Sequence, residues 1–323
     1  MKIADSIWNL IGNTPLVRLK QISNNPNVNL YAKLEFLNPS GSVKDRMAKY
    51  IIERAEEQGL LAPGATVIEN SSGNTGTSLA MMSSIKGYKC IITMPDKMSP
   101  EKRSLMEAFG AKVIITPTDV PADSEESYYS VARRLARDTP NSYYPDQYNN
   151  PYNIEAHYKT TGPELWAQTE GKIDMLIAGI GTGGTLSGAA RFLKEKNRNI
   201  KIVAVDPYGS IFFDYFKTNK MIKPHVYQVE GIGEDFLVKA TDFSVIDDMI
   251  QVNDQDSFLM TRRLVTEHGL FVGGSSGSAV WAALAYTKNL TIPQNIVVIL
   301  PDSGNRYLSK VYNNAWMKKQ GFL

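Results

Sequence analysis

Met175-Leu-Ile-Ala-Gly-Ile-Gly-Thr-Gly-Gly-Thr-Leu186 runs from an apolar stretch through a glycine loop into a stretch of helical composition. The apolar run Met175–Ala178 suits a strand buried on both faces. From Leu186 to Lys194 the apolar positions follow helical spacing. Between them, Gly179-Ile-Gly-Thr-Gly-Gly-Thr185 presents backbone N–H groups at a helix N-terminus, an arrangement that holds an anion. Strand, glycine turn and helix form the repeating unit of parallel sheets covered by helices, so the expected class is α/β.

The same alternation extends outward in both directions. Strand-like runs stand at Leu30–Leu34, Thr66–Glu69, Cys90–Met94, Lys112–Thr116, Ile202–Val205 and Ile296–Leu300. Amphipathic stretches at Thr77–Ile85, Pro100–Phe109 and Ser127–Ala136 lie between them. Residues 139–153, rich in Pro, Asn, Tyr and Gln, read as a long connection at a domain boundary. Residues 226–251 lack periodicity and contain Gly231-Ile-Gly233, which reads as a functional loop.

A chain of 323 residues has room for one large or two medium cores. Its net charge of +2 calls for neither nucleic acid nor an anionic membrane surface. No apolar run approaches a membrane span, and Cys90, the one cysteine, can form no intrachain disulfide, so the cytoplasm is the expected compartment. His157, His225 and His268 are too dispersed for a metal motif, and no metal is expected.

Three stretches can carry chemistry. Gly179, Gly181 and Gly184 match G-x-G-x-x-G, and Asp206 follows at a suitable distance for a ribose ligand, so a nicotinamide-dependent oxidoreductase is one reading. Asn70-Ser-Ser-Gly-Asn-Thr-Gly-Thr77, also between strand and helix, offers further donors and hydroxyls to an anion, or simply caps the helix. Lys44 lies near a helix N-terminus, behind the turn forced by Pro39 and Gly41. The helix dipole disfavours a cation there and favours a free amine, the form that attacks carbonyl compounds.

Ser40-Gly-Ser-Val-Lys-Asp-Arg46, Ser72-Gly-Asn-Thr-Gly76, Gly181-Thr-Gly-Gly-Thr185 and Pro301-Asp-Ser303 occur here in one order and spacing. Together with Ile11-Gly-Asn-Thr-Pro-Leu16 they resemble the pyridoxal-phosphate-dependent β-replacement enzymes of the cysteine synthase and cystathionine β-synthase family, over nearly the whole chain. The resemblance implies pyridoxal 5'-phosphate as cofactor and two lobes, each with a mostly parallel twisted sheet, of fold type II like the tryptophan synthase β chain. Residues 1–40 with 148–323 would form the larger lobe, and 41–147 a smaller mobile one.

The same resemblance places roles on residues. Lys44 looks like the Schiff-base lysine, and Gly181, Thr182, Gly183, Gly184 and Thr185 look like the cradle of the cofactor phosphate. Asn74 would face the ring hydroxyl and Ser303 the pyridine nitrogen, where a hydroxyl leaves the ring unprotonated and favours elimination. Ser72, Thr75 and Gln147 would clamp the substrate carboxylate, with Ser71 and Gly73 as neighbouring donors and Gly231 and Glu234 also at the substrate. Glu234 stands where animal cystathionine β-synthases carry tyrosine. It either binds the ammonium of an incoming amino-acid thiol or is a solvated surface group.

Pro95-Asp-Lys-Met-Ser-Pro-Glu-Lys102, Asp146-Gln-Tyr-Asn149, Asp206-Pro-Tyr-Gly-Ser-Ile211 and Val229-Glu-Gly-Ile-Gly-Glu-Asp-Phe236 are more similar to cystathionine β-synthases than to sulfide-using cysteine synthases. The implied reaction is β-replacement on serine or O-acetylserine through an aminoacrylate, with homocysteine giving cystathionine. Cysteine formation from sulfide, release of hydrogen sulfide and attachment of an amine are adjacent options. Haem and adenosylmethionine control are not expected. Small amino acids are the expected partners, and a homodimer the expected assembly.

Overall fold

The computed structural model describes residues 3–121 and 123–323. In chain order its strands are β1 (Leu16–Arg18), β2 (Val28–Leu34), β3 (Thr66–Asn70), β4 (Lys89–Pro95), β5 (Lys112–Thr116), β6 (Ser142–Tyr143), β7 (Met175–Gly179), β8 (Lys201–Pro207), β9 (Asp248–Val252) and β10 (Gln294–Leu300). The helices are α1 (Lys44–Glu57), α2 (Asn74–Lys86), α3 (Pro100–Ala108), α4 (Tyr128–Asp138), α5 (Tyr152–Lys159), α6 (Thr161–Gln168), α7 (Gly184–Lys196), α8 (Phe212–Thr218), α9 (Asp254–His268), α10 (Gly274–Thr287) and α11 (Asn314–Lys319).

The strands form two sheets. One is six-stranded, ordered β1-β2-β10-β7-β8-β9, with β1 antiparallel to β2 and the remaining pairs parallel. The other is four-stranded and parallel, ordered β5-β4-β3-β6. Alternate residues of the central strands enter opposite cores. Leu176 and Ala178 join one cluster with Ile202, Val297 and Ile299, and Met175 and Ile177 join another with Val203, Val298 and Leu300. Burial on both faces is why these strands read as unbroken apolar runs.

All seven strand-like runs of the sequence are strands. Two segments depart from expectation. The connection over 139–153 contains β6, which pairs with β3, and α5 already begins at Tyr152. The irregular segment from Val226 ends in a 3-10 turn at Phe243–Val245 and then β9. Trp8 and Ile11, early in the chain, pack among Ala48, Ile52, Val67 and Leu79 in the core beside the four-stranded sheet. Among the described residues, no helix is long and apolar enough to cross a membrane.

Candidate active site

β2, β10 and β7 are neighbours and run parallel, so the loops leaving their C-terminal ends emerge side by side. After β2 comes the turn over 38–43 leading to Lys44. After β10 comes Pro301-Asp-Ser303, and after β7 comes Gly179–Thr185. Backbone bonds weld the first two: Val43 N–H donates to Pro301 at 2.8 Å and Ser303 N–H to Gly41 at 3.1 Å. β2 and β7, the strands that lead to the Lys44 turn and the glycine loop, are two strand spacings apart, about 10 Å.

Lys44 is the first residue of α1 and half-buried. Among the described residues, no hydrogen bond or ion pair holds its amine. Burial lowers its pKa, against the opposing charges of Asp302 and Glu234. From the other sheet, α2 brings Asn74, whose Nδ2 donates to Asp302 Oδ2 at 2.7 Å. Asn74 Oδ1 and Asp302 Oδ1 are buried without a partner. Unpaired buried polar atoms beside a free amine fit a polar cofactor ring rather than an apolar core.

The glycine loop fits an anion. Gly183 has φ +82°, and a side chain there would meet Thr241 and the Ala240 carbonyl, so the loop backbone must stay bare. α5 supports it from below through two residues four apart. Asn153 Nδ2 donates to Thr182 Oγ1 at 3.1 Å and to the Gln147 carbonyl at 2.8 Å, while His157 Nε2 lies 3.2 Å from Thr185 Oγ1. Burial drives His157 down to about 3, so the imidazole is neutral.

Thr75 Oγ1 donates to Gln147 Oε1 at 2.5 Å, and Gln147 Nε2 donates to the Asn70 carbonyl at 3.1 Å, which brings together two members of the expected clamp. Ser72, in the same loop, is half-buried. The Ser71 hydroxyl serves the loop itself, accepting from Gly73 and Gly76 N–H at 3.1 and 2.9 Å. Gly231 lies against the glycine loop, its carbonyl 2.8 Å from where a Gly181 Cβ would stand. Ser303 accepts from Asn305 N–H at 3.3 Å, capping the 3-10 turn Gly304–Tyr307 and leaving its own hydrogen free to donate.

Glu234 is half-buried, not a fully solvated surface group. Burial, and then the charge of Asp235, push its carboxyl up to about 8, against the Tyr148 hydroxyl and the Lys44 charge. Tyr148 packs edge-on against Tyr129 and Phe236, 5.9 and 5.3 Å between ring centres, so this wall joins α4 to the segment after Gly233. Asp206, the candidate ribose ligand, is fully buried and accepts from Phe213 N–H at 3.0 Å, so it caps α8 instead of facing a ligand.

Three features escaped the sequence reading. Asp302, 1 % exposed, also accepts from the Tyr307 hydroxyl at 2.6 Å and so joins Asn74 to the turn after β10. The Asn153/His157 pair had a signal, two polar residues at helical i, i+4 spacing, that went unused. Gly273-Gly-Ser-Ser-Gly277 is a further glycine-serine helix start, held to the same edge by the Val272–Ser303 bridge and by Gly273 N–H donating to Asp302 at 3.0 Å.

The family described as pyridoxal-phosphate dependent enzyme matches residues 7–302. The cystathionine beta-synthase of Apis mellifera is 49% identical over 324 residues, covering 100% of this chain and 64% of that protein. That of Rattus norvegicus is 48% identical, covering 100% of this chain and 58% of its own length. That of Saccharomyces cerevisiae is 45% identical, covering 97% and 64%. The chain thus spans about three fifths of the length of these curated relatives.

Proposed function

Because this chain belongs to the family of pyridoxal-phosphate-dependent enzymes, we propose that it replaces the β substituent of serine or O-acetylserine with a thiol, homocysteine first among them, to give cystathionine. The family match sets aside the nicotinamide reading, as does the turning of Asp206 toward Phe213. The observation that carries the proposal is the Lys44 amine, without a hydrogen-bond or ion-pair partner among the described residues, beside Asp302, which Asn74 also holds.

Pyridoxal phosphate supplies an aldehyde that exchanges between amines and a conjugated ring that weakens bonds at the α carbon. The protein's own groups do the rest. The Gly181–Thr185 backbone and the α7 N-terminus hold the phosphate. Asn74 orients the ring hydroxyl. At the ring nitrogen the assigned hydroxyl is Ser303, with Ser275 at the start of α10 offering a second at the same edge. Ser72, Thr75 and Gln147 orient the substrate carboxylate, and the free amine of Lys44 takes the α proton. Glu234 receives the ammonium of the incoming thiol, a charge-assisted contact that ionises the carboxyl.

The same reading gives a moving unit, 41–147, whose closure against 1–40 and 148–323 excludes water. A cytoplasmic homodimer completes it, and sedimentation tests the assembly.

Purified protein should be yellow, lose that band with borohydride, and lack it as Lys44→Ala. Serine, O-acetylserine and O-phosphoserine, each paired with homocysteine, sulfide and cysteine, then give the product. Cystathionine from serine or O-acetylserine is expected. Turnover with sulfide alone would move the assignment to a cysteine synthase.

A further inference from the structure

Lys102, on α3 beside the four-stranded sheet, has only 4 % of its side chain exposed. Its ammonium forms an ion pair with Glu230, in the irregular segment that follows α8, and the second carboxylate oxygen of Glu230 takes Lys310 Nζ at 2.6 Å. Burial alone would raise the Glu230 carboxyl, but the two ammoniums hold it down at about 2, so the pair stays ionised.

What this pair touches gives it significance. The Lys102 side chain lies along Gly73, where a methyl group would stand 3.0 Å from Cδ and 3.1 Å from Nζ. Gly73 precedes α2 in the loop that carries Ser72, Asn74 and Thr75. Glu230 is followed by Gly231, whose carbonyl lies close against Gly181 in the glycine loop. The Lys102 ammonium also lies 5.0 Å from the centre of the Tyr307 ring, and the Tyr307 hydroxyl is bonded to Asp302. One ion pair therefore connects the loop before α2, on one sheet, to the segment packed against the glycine loop of the other.

We propose that Lys102 is a positioning residue: paired with Glu230 across the cleft, it holds the loop over residues 71–76 above the cofactor site. The proposal rests on reading that loop as the carboxylate clamp. A solvated lysine would leave the loop free to swing, because an exposed ion pair contributes little. An enclosed pair whose disruption strands a buried charge does not let go cheaply.

Hydrogen exchange on the holoenzyme without substrate tests the tie directly. Lys102→Met and Glu230→Gln should each raise amide exchange over residues 70–76 about tenfold, while β7 is unchanged. The double variant should show clearly less than the sum of the singles, because one interaction is lost once and its two charges leave together. Lys102→Arg should stay close to wild type. In turnover, KM for the first amino acid should rise by a similar factor, with kcat within about twofold.

Unchanged exchange over 70–76 in both single variants overturns the proposal, as do additive effects in the double variant or exchange raised equally across both sheets. If exchange rises as expected but the wild-type holoenzyme shows no absorbance response to serine, O-acetylserine or O-phosphoserine, the tie stands and the substrate reading fails.

Discussion

Glu69 ends fully buried, its oxygens accepting from the backbone N–H of Asn70 at 3.0 Å and of Gln147 at 3.2 Å. Burial pushes its carboxyl from 4.5 up to about 8. Between those values the unfolded chain has lost the proton that the folded protein keeps, so this group costs stability as pH rises from 4.5 to about 8, and no more beyond. Glu69→Gln should therefore flatten the fall in stability over that window, by on the order of a few kcal/mol at its upper end. Denaturant midpoints across the window check this, and a slope identical to wild type would refute it. Glu234 makes a different prediction. Glu234→Ala should slow reaction with homocysteine or cysteine about tenfold, leave loss of the β substituent untouched, and spare sulfide, which has no ammonium to bind. Stopped-flow spectra of the two half-reactions separate these outcomes.

α5 and α7 illustrate what an element contributes beyond its own residues. α7 follows directly on the glycine loop, and α5 lies so close that a methyl on Gly188 would stand 2.2 Å from the Ile154 carbonyl and 2.7 Å from His157 Cβ. A backbone oxygen cannot step aside as a side chain can. Gly188→Ala should part the two helices, cost about 2–3 kcal/mol, and loosen the cofactor because Asn153 and His157 withdraw from Thr182 and Thr185. Thermal unfolding and cofactor retention on dialysis would show both effects. Much of the element level was legible in the sequence, and the missed strands share a position. β1, β6 and β9 are each an edge of a sheet. An edge strand lacks the two-sided burial that makes Leu176, Val203 or Val298 part of an unbroken apolar run. Lys44, Asn74 and the glycine loop stood out because their chemistry is concentrated in short motifs. The contacts of Asp302, Asn153 and His157 come from distant segments, which no local pattern encodes.

A buried charge network ties α1, which packs beside the four-stranded sheet, to β2 of the six-stranded one. Arg46 on α1 meets Glu35 just after β2 at 2.7 Å and Glu164 on α6 at 2.6 Å, while Lys33, fully buried, meets Glu164 at 2.6 Å. Arg46 is two residues from Lys44, so the network fixes the start of α1 and with it the amine. Although burial opposes it, Arg46 and then Lys33 hold Glu35 down at about 2. This contribution is present above 4.5 and lost as pH falls through about 2. Arg46→Met should strand Glu35 and destabilise the whole molecule by about 3–5 kcal/mol. Urea denaturation measures that, and a loss under about 1 kcal/mol would mean that the network is replaceable. The strand order carries one more consequence, for synthesis. All four strands over 66–143 are contiguous in the chain, so that sheet can close while translation continues. β2 must wait for β10 to slide between it and β7. A ribosome stalled before residue 294 therefore displays one finished sheet and one with an open slot, two bare strand edges for which a chaperone and a neighbouring nascent chain would compete.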